Sequence, residues 1–221
     1  MIKACIFDMD GTVADTLTTI AHFANNALQQ FGFPAIELEK YKLMVGNGAS
    51  VLVRRMLNEV GGPDDVYEQV RVYYNSTYDN NFLYLTKPFE GIVPMLQAMK
   101  ERGIRTAIVS NKPDSTTCKI SDELFGDLID ACRGGREGVP LKPSPQAVIE
   151  TMNELGVSPE ECFYVGDTGT DMETGKNAGI YTVGVTWGFR GERELWDFGA
   201  DAVVSSPAEI LAIATGGESR E

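Results

Sequence analysis

Five short apolar runs set what this chain is able to fold into. Residues 4–7, 105–109, 162–165, 181–185 and 202–204 are apolar at nearly every position and rich in β-branched side chains. Runs of that kind suit strands buried on both faces, as in a parallel sheet covered by helices. A weaker sixth run spans 129–132. Helical periodicity lies between the runs, over 93–102, 145–155, 171–178 and 207–214, with Gly103, Gly156 and Gly179 where helix stops are expected. Strand, turn and helix repeated in this order predict an open α/β sheet.

Residues 16–84 break the rhythm. Their first segment places Ile20, Phe23, Ala24, Ala27, Leu28 and Phe31 on one face of an amphipathic helix, stopped by Gly32. Val51, Leu52, Arg55 and Met56 continue helically, as do residues 66–78. No convincing strand interrupts them. At roughly 150 residues per domain, a chain of 221 residues has room for one domain and a smaller insert. The expected division is a core of 1–15 and 85–221, with an all-helical domain of 16–84 inserted after the first strand. Lys87 to Gly91 would form the return linker.

With 19 Lys and Arg against 32 Asp and Glu, the net charge is −13. Such a chain repels phosphate backbones and anionic lipid, so neither nucleic acid nor a membrane is an expected partner. An anionic substrate would need a local reversal of the field, which a bound cation supplies. No run approaches the ~20 apolar residues of a membrane span. Asp8 also arrives too early for a signal-peptide core of roughly 7–15 apolar residues. Cys5, Cys118, Cys132 and Cys162 form no CxxC or metal spacing. A cytoplasmic location is expected, as a monomer or homodimer.

The chemistry-bearing residues fall at strand ends, where open α/β sheets collect ligands. The first strand ends in Asp8-Met9-Asp10-Gly11-Thr12. Two carboxylates two residues apart share a face of extended chain and repel, unless a cation relieves them. Alone, they equally fit a pair of turn aspartates. The run 105–109 ends in Ser110-Asn111-Lys112, a hydroxyl and an amide suited to phosphate oxygens but also common in turns. Lys142 precedes a helix, in a place where a solvated loop lysine would serve as well. The run 162–165 leads into Gly166-Asp167-Thr168-Gly169-Thr170-Asp171, whose last residue would also cap a helix. Together on one rim, these residues fit phosphoryl transfer through an aspartyl-phosphate. A carboxylate can attack phosphorus once charge is partly neutralised, and Asp10 is the expected acid and base. Asp8 and Asp167 offer the hard oxygens that Mg²⁺ prefers, and Ser110 and Lys142 would hold the phosphate.

The four segments resemble, in order, the four motifs of the haloacid dehalogenase superfamily, over essentially the whole chain. The resemblance implies a Rossmann-like core with helices on both faces, a small helical cap after the first motif, and Mg²⁺ as cofactor. Carried across by position, Asp8 would be the nucleophile and Asp10 the general acid and base, while Asp8, the Asp10 main-chain carbonyl and Asp167 would bind the metal, with Asp171 orienting metal-bound water. Gly11, Thr12 and Asn111 would line the phosphate site. Val45 to Leu52, Pro88 to Ile92, Asn177 to Ile180 and Val185 to Gly188 resemble the phosphoglycolate phosphatases within that superfamily. The implied substrate is a small phosphorylated molecule, 2-phosphoglycolate foremost. Gly46, Asn47 and Gly48 would open the helix carrying Arg54 and Arg55, its N–H groups and Arg54 facing a second anionic group.

Neighbouring activities share this pattern. Relatives acting on pyrophosphate or other small phosphates have much of it. A β-phosphoglucomutase resembles the chain, but typically has histidine five residues after the position of Asp15, which is Ile20 here. The only histidine, His22, is roughly 200° further around an ideal helix and is expected to pack or face solvent. A dehalogenase lacks the second aspartate. Gly169 to Asn177 looks like a nucleotide-binding P-loop, but has five residues between its glycines and Asn177 where Ser or Thr would bind Mg²⁺. A non-enzymatic binding protein on this fold would not need the complete motif set.

Overall fold

A computed structural model describes residues 1–217. All five runs are strands: β1 (Ala4–Phe7), β4 (Arg105–Pro113), β6 (Cys162–Gly166), β7 (Tyr181–Val185) and β8 (Ala202–Val204). With β5 (Ala131–Gly135) they make one parallel sheet in the order β5-β4-β1-β6-β7-β8. The chain builds outward from β1 to β4 and β5, then crosses back to β6 on the other side. The sheet is a Rossmann-like α/β sheet, and β1 sits at its reversal of order, where a crevice opens beyond the strand ends.

The strands are buried on both faces because alternate side chains enter different clusters. Cys5, Phe7, Ile108, Phe163, Val165, Val183 and Val185 pack with the apolar faces of α5 (Ile92–Glu101) and α10 (Pro207–Thr215). Ala4, Ile6, Ala107, Val109 and Tyr164 pack with Val148, Met152 and Leu155 of α7 (Gln146–Leu155). The helix α8 (Gly169–Ala178) covers β6 and β7 on the rim side.

Three differences from the sequence expectation have local causes. β5 runs to Gly135 rather than ending at 132, since Gly134 lets it lie where a Cβ would meet the Asp114 and Lys112 backbone at 2.4–2.6 Å. α6 (Asp114–Phe125) buries Thr116, Thr117 and Ser121 beside Ile120 and Phe125, so its inner face lacks an apolar stripe. α9 (Glu192–Asp197) is six residues long and buries only Leu195.

Between β1 and the rest of the sheet stand four helices: α1 (Leu17–Gln30), α2 (Leu38–Met44), α3 (Ala49–Val60) and α4 (Tyr67–Asp79). Their apolar faces form a cluster of their own, including Phe23, Leu28, Tyr41, Met56 and Tyr74. α2 was not apparent in the sequence, because only Tyr41 and Met44 of its seven residues are buried. The two connections to the sheet pair with each other. β2 (Ala14–Asp15) and β3 (Lys87–Pro88) form a short antiparallel ribbon with Ala14 opposite Pro88 and Asp15 opposite Lys87. Among the described residues no helix is long and apolar enough to cross a membrane.

A side-chain amide ties the first two insert helices together. Asn25 Oδ1 accepts from Ile36 N at 2.8 Å and from Tyr41 Oη at 2.8 Å, while its Nδ2 donates to Ile36 O at 2.9 Å. Tyr41 is fully buried. Asn25→Ala orphans the Tyr41 hydroxyl and two backbone groups, so it is expected to cost about 2 kcal/mol. Urea unfolding followed by circular dichroism should show that loss, while Asn26→Ala, one position along on the same helix, should shift the midpoint far less.

Candidate active site

The site is assembled by backbone that stops at the same level. Asp8 follows β1, and its N–H donates to Val165 O at 2.9 Å. The chain then turns tightly, with Thr12, Val13 and Ala14 all donating to Met9 O. Asp167 and Asp171 come from the end of β6 and the first turn of α8, and Lys142 from the segment before α7. Asp8, Asp10, Ser110, Lys142, Asp167 and Asp171 are all at most 8% exposed.

Lys142 is the hub. Its Nζ lies 2.7 Å from Asp171 Oδ1, 2.9 Å from Asp8 Oδ1 and 3.0 Å from the Tyr164 hydroxyl, which donates to Val109 O at 2.9 Å. Asp171 is saturated on its other oxygen, which accepts from Asp167 N, Thr168 N and Thr168 Oγ1 at 2.7–3.2 Å. The Thr168 and Asp171 pair also forms a capping box that starts α8. Asp167 accepts from Phe189 N at 2.7 Å and Thr12 Oγ1 at 3.3 Å. Two glycines make room for it. A Cβ on Gly11, which has φ +84°, would meet Asp167 Oδ2 at 2.4 Å, and one on Gly188 would meet Asp167 Cβ at 2.3 Å.

Asp8, Asp167 and Asp171 each bring a carboxylate oxygen within 4.8 Å of the others. Burial pushes Asp8 up to about 6, with Lys142 opposing and Asp171 and Asp10 reinforcing the rise. Burial, then Asp171 and Asp8, raise Asp167 well above the usual carboxylate range. Burial also works against the Lys142 charge, but Asp171 and Asp8 overcome it and hold the ammonium above its ordinary value. Asp8 Oδ1 has no aligned hydrogen-bond donor although it is buried. Three buried, mutually repelling carboxylates sharing the one ammonium of Lys142 fit a hard divalent cation such as Mg²⁺. Asp8 and Asp167 suit direct ligation, whereas the donors on Asp171 leave it a positioning role.

Above this floor lies a cavity of about 40 Å³ between the sheet and the insert. Asp8, Asp10 and Ser110 reach it from the sheet, and Ile20, Gly46, Gly48, Leu52, Tyr74 and Tyr78 from the insert. Several expected ligands are placed otherwise. Arg54 does not line the cavity: it pairs with Asp64 at 2.6 Å and lies 4.1 Å over the Tyr67 ring. Arg55 caps α2 through the carbonyls of Leu43 and Met44. Asn47 is outside the lining, and Gly11 and Thr12 shape Asp167 instead. Asn111 borders the cavity, but its amide is spent on protein: Oδ1 accepts from Lys142 N, and Nδ2 donates to Gly46 O and Lys142 O. The Asp10 carboxylate turns away from the triad to Lys112 Nζ, 3.0 Å from each oxygen.

The arrangement of two carboxylates just after β1, a buried lysine, and an acidic pair at the end of β6 and the start of α8 has a known counterpart. A model of the haloacid dehalogenase-like hydrolases matches residues 5–185. The chain belongs to this family. It is 31% identical to the phosphoglycolate phosphatase of Thiobacillus denitrificans over 97% of this chain and 96% of that one. It is 32% identical to the phosphoglycolate phosphatase of Aquifex aeolicus, over 96% of each chain. A solved structure from Lactobacillus delbrueckii subsp. bulgaricus, 29% identical, superposes with a TM-score of 0.92 over 96% of this chain and 98% of that one. As a family member the chain is a hydrolase, similar to the phosphoglycolate phosphatases.

Some residues of this hydrolase's site gave little warning. Lys112 reads as the tail of a turn, and only the parity of an extended Ser110 to Pro113 segment hinted that it shares a face with Ser110. Tyr164 stands in an apolar run and passes for core. Tyr74 and Tyr78 are four apart on α4, a spacing that core packing explains equally well.

The Asp8 shift has a testable sign. An unfolded Asp titrates near ~3.9, so the folded protein binds more protons between about 4 and 6. Metal-free stability should therefore fall as pH rises through that window and stay low above it. Asp8→Asn removes the buried charge. The metal-free variant is expected to exceed the parent in stability at pH 7.5, by as much as ~3 kcal/mol, and the gap to narrow to about 1 kcal/mol near pH 4.5. Mg²⁺ should raise the parent's melting temperature more at pH 7.5 than at pH 5 and have little effect on the variant. Calorimetry at both pH values, with and without Mg²⁺, reads all of these.

Proposed function

We propose that this hydrolase is a Mg²⁺-dependent phosphatase that cleaves a small phosphate monoester, 2-phosphoglycolate foremost, through an aspartyl-phosphate on Asp8. The observation that carries this reading is the position of Asp8. It faces the cavity at the centre of the rim, with Lys142 on one side and a second carboxylate, Asp10, opening onto the same space.

In the first half-reaction an Asp8 oxygen attacks phosphorus while the ester P–O bond breaks, and Asp10 gives a proton to the departing alkoxide. In the second, Asp10 takes a proton from water as the water oxygen attacks the phosphoryl group. Inorganic phosphate leaves and the Asp8 carboxylate returns. Ser110 Oγ and Lys142 Nζ offset charge on the non-bridging oxygens. Mg²⁺ held by Asp8 and Asp167, with Asp171 orienting its water, would supply the positive charge that lets an anionic nucleophile approach an anionic phosphate.

Residues 16–84 act as a cap. The β2–β3 ribbon is the hinge, and closure excludes bulk water while the acyl phosphate exists. Ile20 faces the cavity where a phosphomutase would place its shuttle, while His22 is exposed and stacks on Tyr84 with centroids 4.7 Å apart. The cap thus brings no proton-transfer histidine, which supports hydrolysis over mutase chemistry.

Purified protein should turn over 2-phosphoglycolate with a kcat/KM at least tenfold above pyrophosphate, β-glucose 1-phosphate and nucleoside monophosphates, about 1.4 kcal/mol of transition-state preference. EDTA should silence it, excess Mg²⁺ should restore it, and Asp8→Asn should be folded but inactive. Pyrophosphate as the best substrate would replace the substrate named here. Turnover by Asp8→Asn would remove the mechanism.

A further inference from the structure

We infer that Lys112 selects the leaving group. On the phosphatase reading above, its ammonium receives a carboxylate carried one or two carbons from the ester oxygen, so the preferred substrates are small monoesters of hydroxy acids. The task expected of Arg54 thus falls to a residue of the sheet.

Among the described residues lining the cavity, Lys112 is the only Lys, Arg or His. Lys142 lies beneath the floor with its Nζ shared among Asp8, Asp171 and Tyr164. Lys112 is 8% exposed, and its Nζ sits 3.0 Å from both Asp10 oxygens and 4.6 Å from the centre of the Tyr78 ring. Asp10 is the group that must touch the ester oxygen. A cation one ion-pair length beyond it is therefore within roughly 6 Å of that oxygen, and a carboxylate one or two carbons away spans most of this distance. The chemistry is that of a point charge, which tolerates the angular freedom of a short flexible leaving group.

Two further features favour a small anion. The backbone of α3 starts at Gly48 with no side-chain cap, and Gly48 and Ala49 line the cavity, so the positive end of this helix faces the same space. Asp79, the lining carboxylate on the insert, accepts from Thr116 Oγ1 at 2.7 Å and is tied to the rim. Ile20, Leu52, Tyr74 and Tyr78 border the cavity on the insert side with apolar and aromatic surface.

The test compares a carboxylate with its absence. Calorimetry in Mg²⁺ would measure 3-phosphonopropionate, a non-hydrolysable analogue of the acid-bearing ester, against propylphosphonate. The parent should bind the first at least tenfold more tightly. Lys112→Gln should bring the two within about twofold, and Lys112→Arg should retain part of the preference. In kinetics, the ratio of kcat/KM for 2-phosphoglycolate over ethyl phosphate should fall at least 30-fold in Lys112→Gln, carried mainly by KM. Equal losses on both esters would assign Lys112 to Asp10 alone and overturn the inference. Equal binding of both phosphonates by the parent would overturn it without any variant, whatever the fold of Lys112→Gln. A parent that hydrolyses neither ester defeats the phosphatase reading, while the phosphonate ratio still decides the role of Lys112.

Discussion

The site depends on one buried ammonium. Lys142 stands between Asp8 and Asp171 at 2.9 and 2.7 Å, where water cannot screen any of the three. Burying a lone carboxylate is costly, and burying several together is more so, unless opposite charge is close at hand. Four carboxylates, Asp8, Asp10, Asp167 and Asp171, are buried on this rim with two ammoniums, Lys112 and Lys142. Fully ionised, they leave two negative charges, the amount one divalent cation cancels. Without a cation the imbalance surfaces as proton affinity, with Asp8 pushed up to about 6 and Asp167 also raised well above the usual carboxylate range. A chain carrying −13 overall thus builds a place for an anion out of a charge deficit that a metal would fill.

The insert is coupled to that rim by backbone as much as by side chains. Arg190, from the loop after β7, donates to the carbonyls of Lys42 and Val45, and Asn111 bridges Gly46 O to Lys142. Phe189 packs in the apolar cluster of the insert while its own N–H holds Asp167. The stretch that holds an acidic residue therefore also packs against the insert. Opening at the β2–β3 ribbon would strain the hydrogen bonds at Lys42, Val45 and Gly46, of which Val45 and Gly46 line the cavity. The same few residues thus contact both the insert and the acidic rim.

Much of this was legible in the sequence, and the reason is periodicity. The strands are buried on both faces, so their composition announces them, and the residues at their ends follow by position. Asp8, Ser110, Lys142 and Asp167 lie together because the topology brings the ends of β1, β4 and β6, and the segment before α7, to one level. What stayed hidden has no periodic signature. α6 buries threonines and a serine, and α2 is too short to show a stripe. Orientation within a helix turn was also beyond reach. Arg54 and Arg55 are adjacent, and only the presence of Asp64 and Tyr67 on one side and the α2 carbonyls on the other decides that neither faces the cavity. Asn111 looked like a phosphate ligand, but the backbone it braces comes from residues 31 and 65 positions away in sequence.

The position of Lys112 changes how selectivity is divided between the two parts of the molecule. If the sheet recognised only the phosphoryl group, discrimination among esters would rest wholly on the cap. Yet the cation nearest the leaving group belongs to β4, two residues beyond Ser110, on the same extended segment. The insert supplies apolar side chains, two tyrosines and a helix N-terminus, which restrict size and lower the local dielectric. A charge held in such surroundings acts more strongly than the same charge in water, so the two contributions multiply each other's effect. Replacing the cap residues alone would change which leaving groups fit. Changing the sign of charge the site accepts would require altering the sheet.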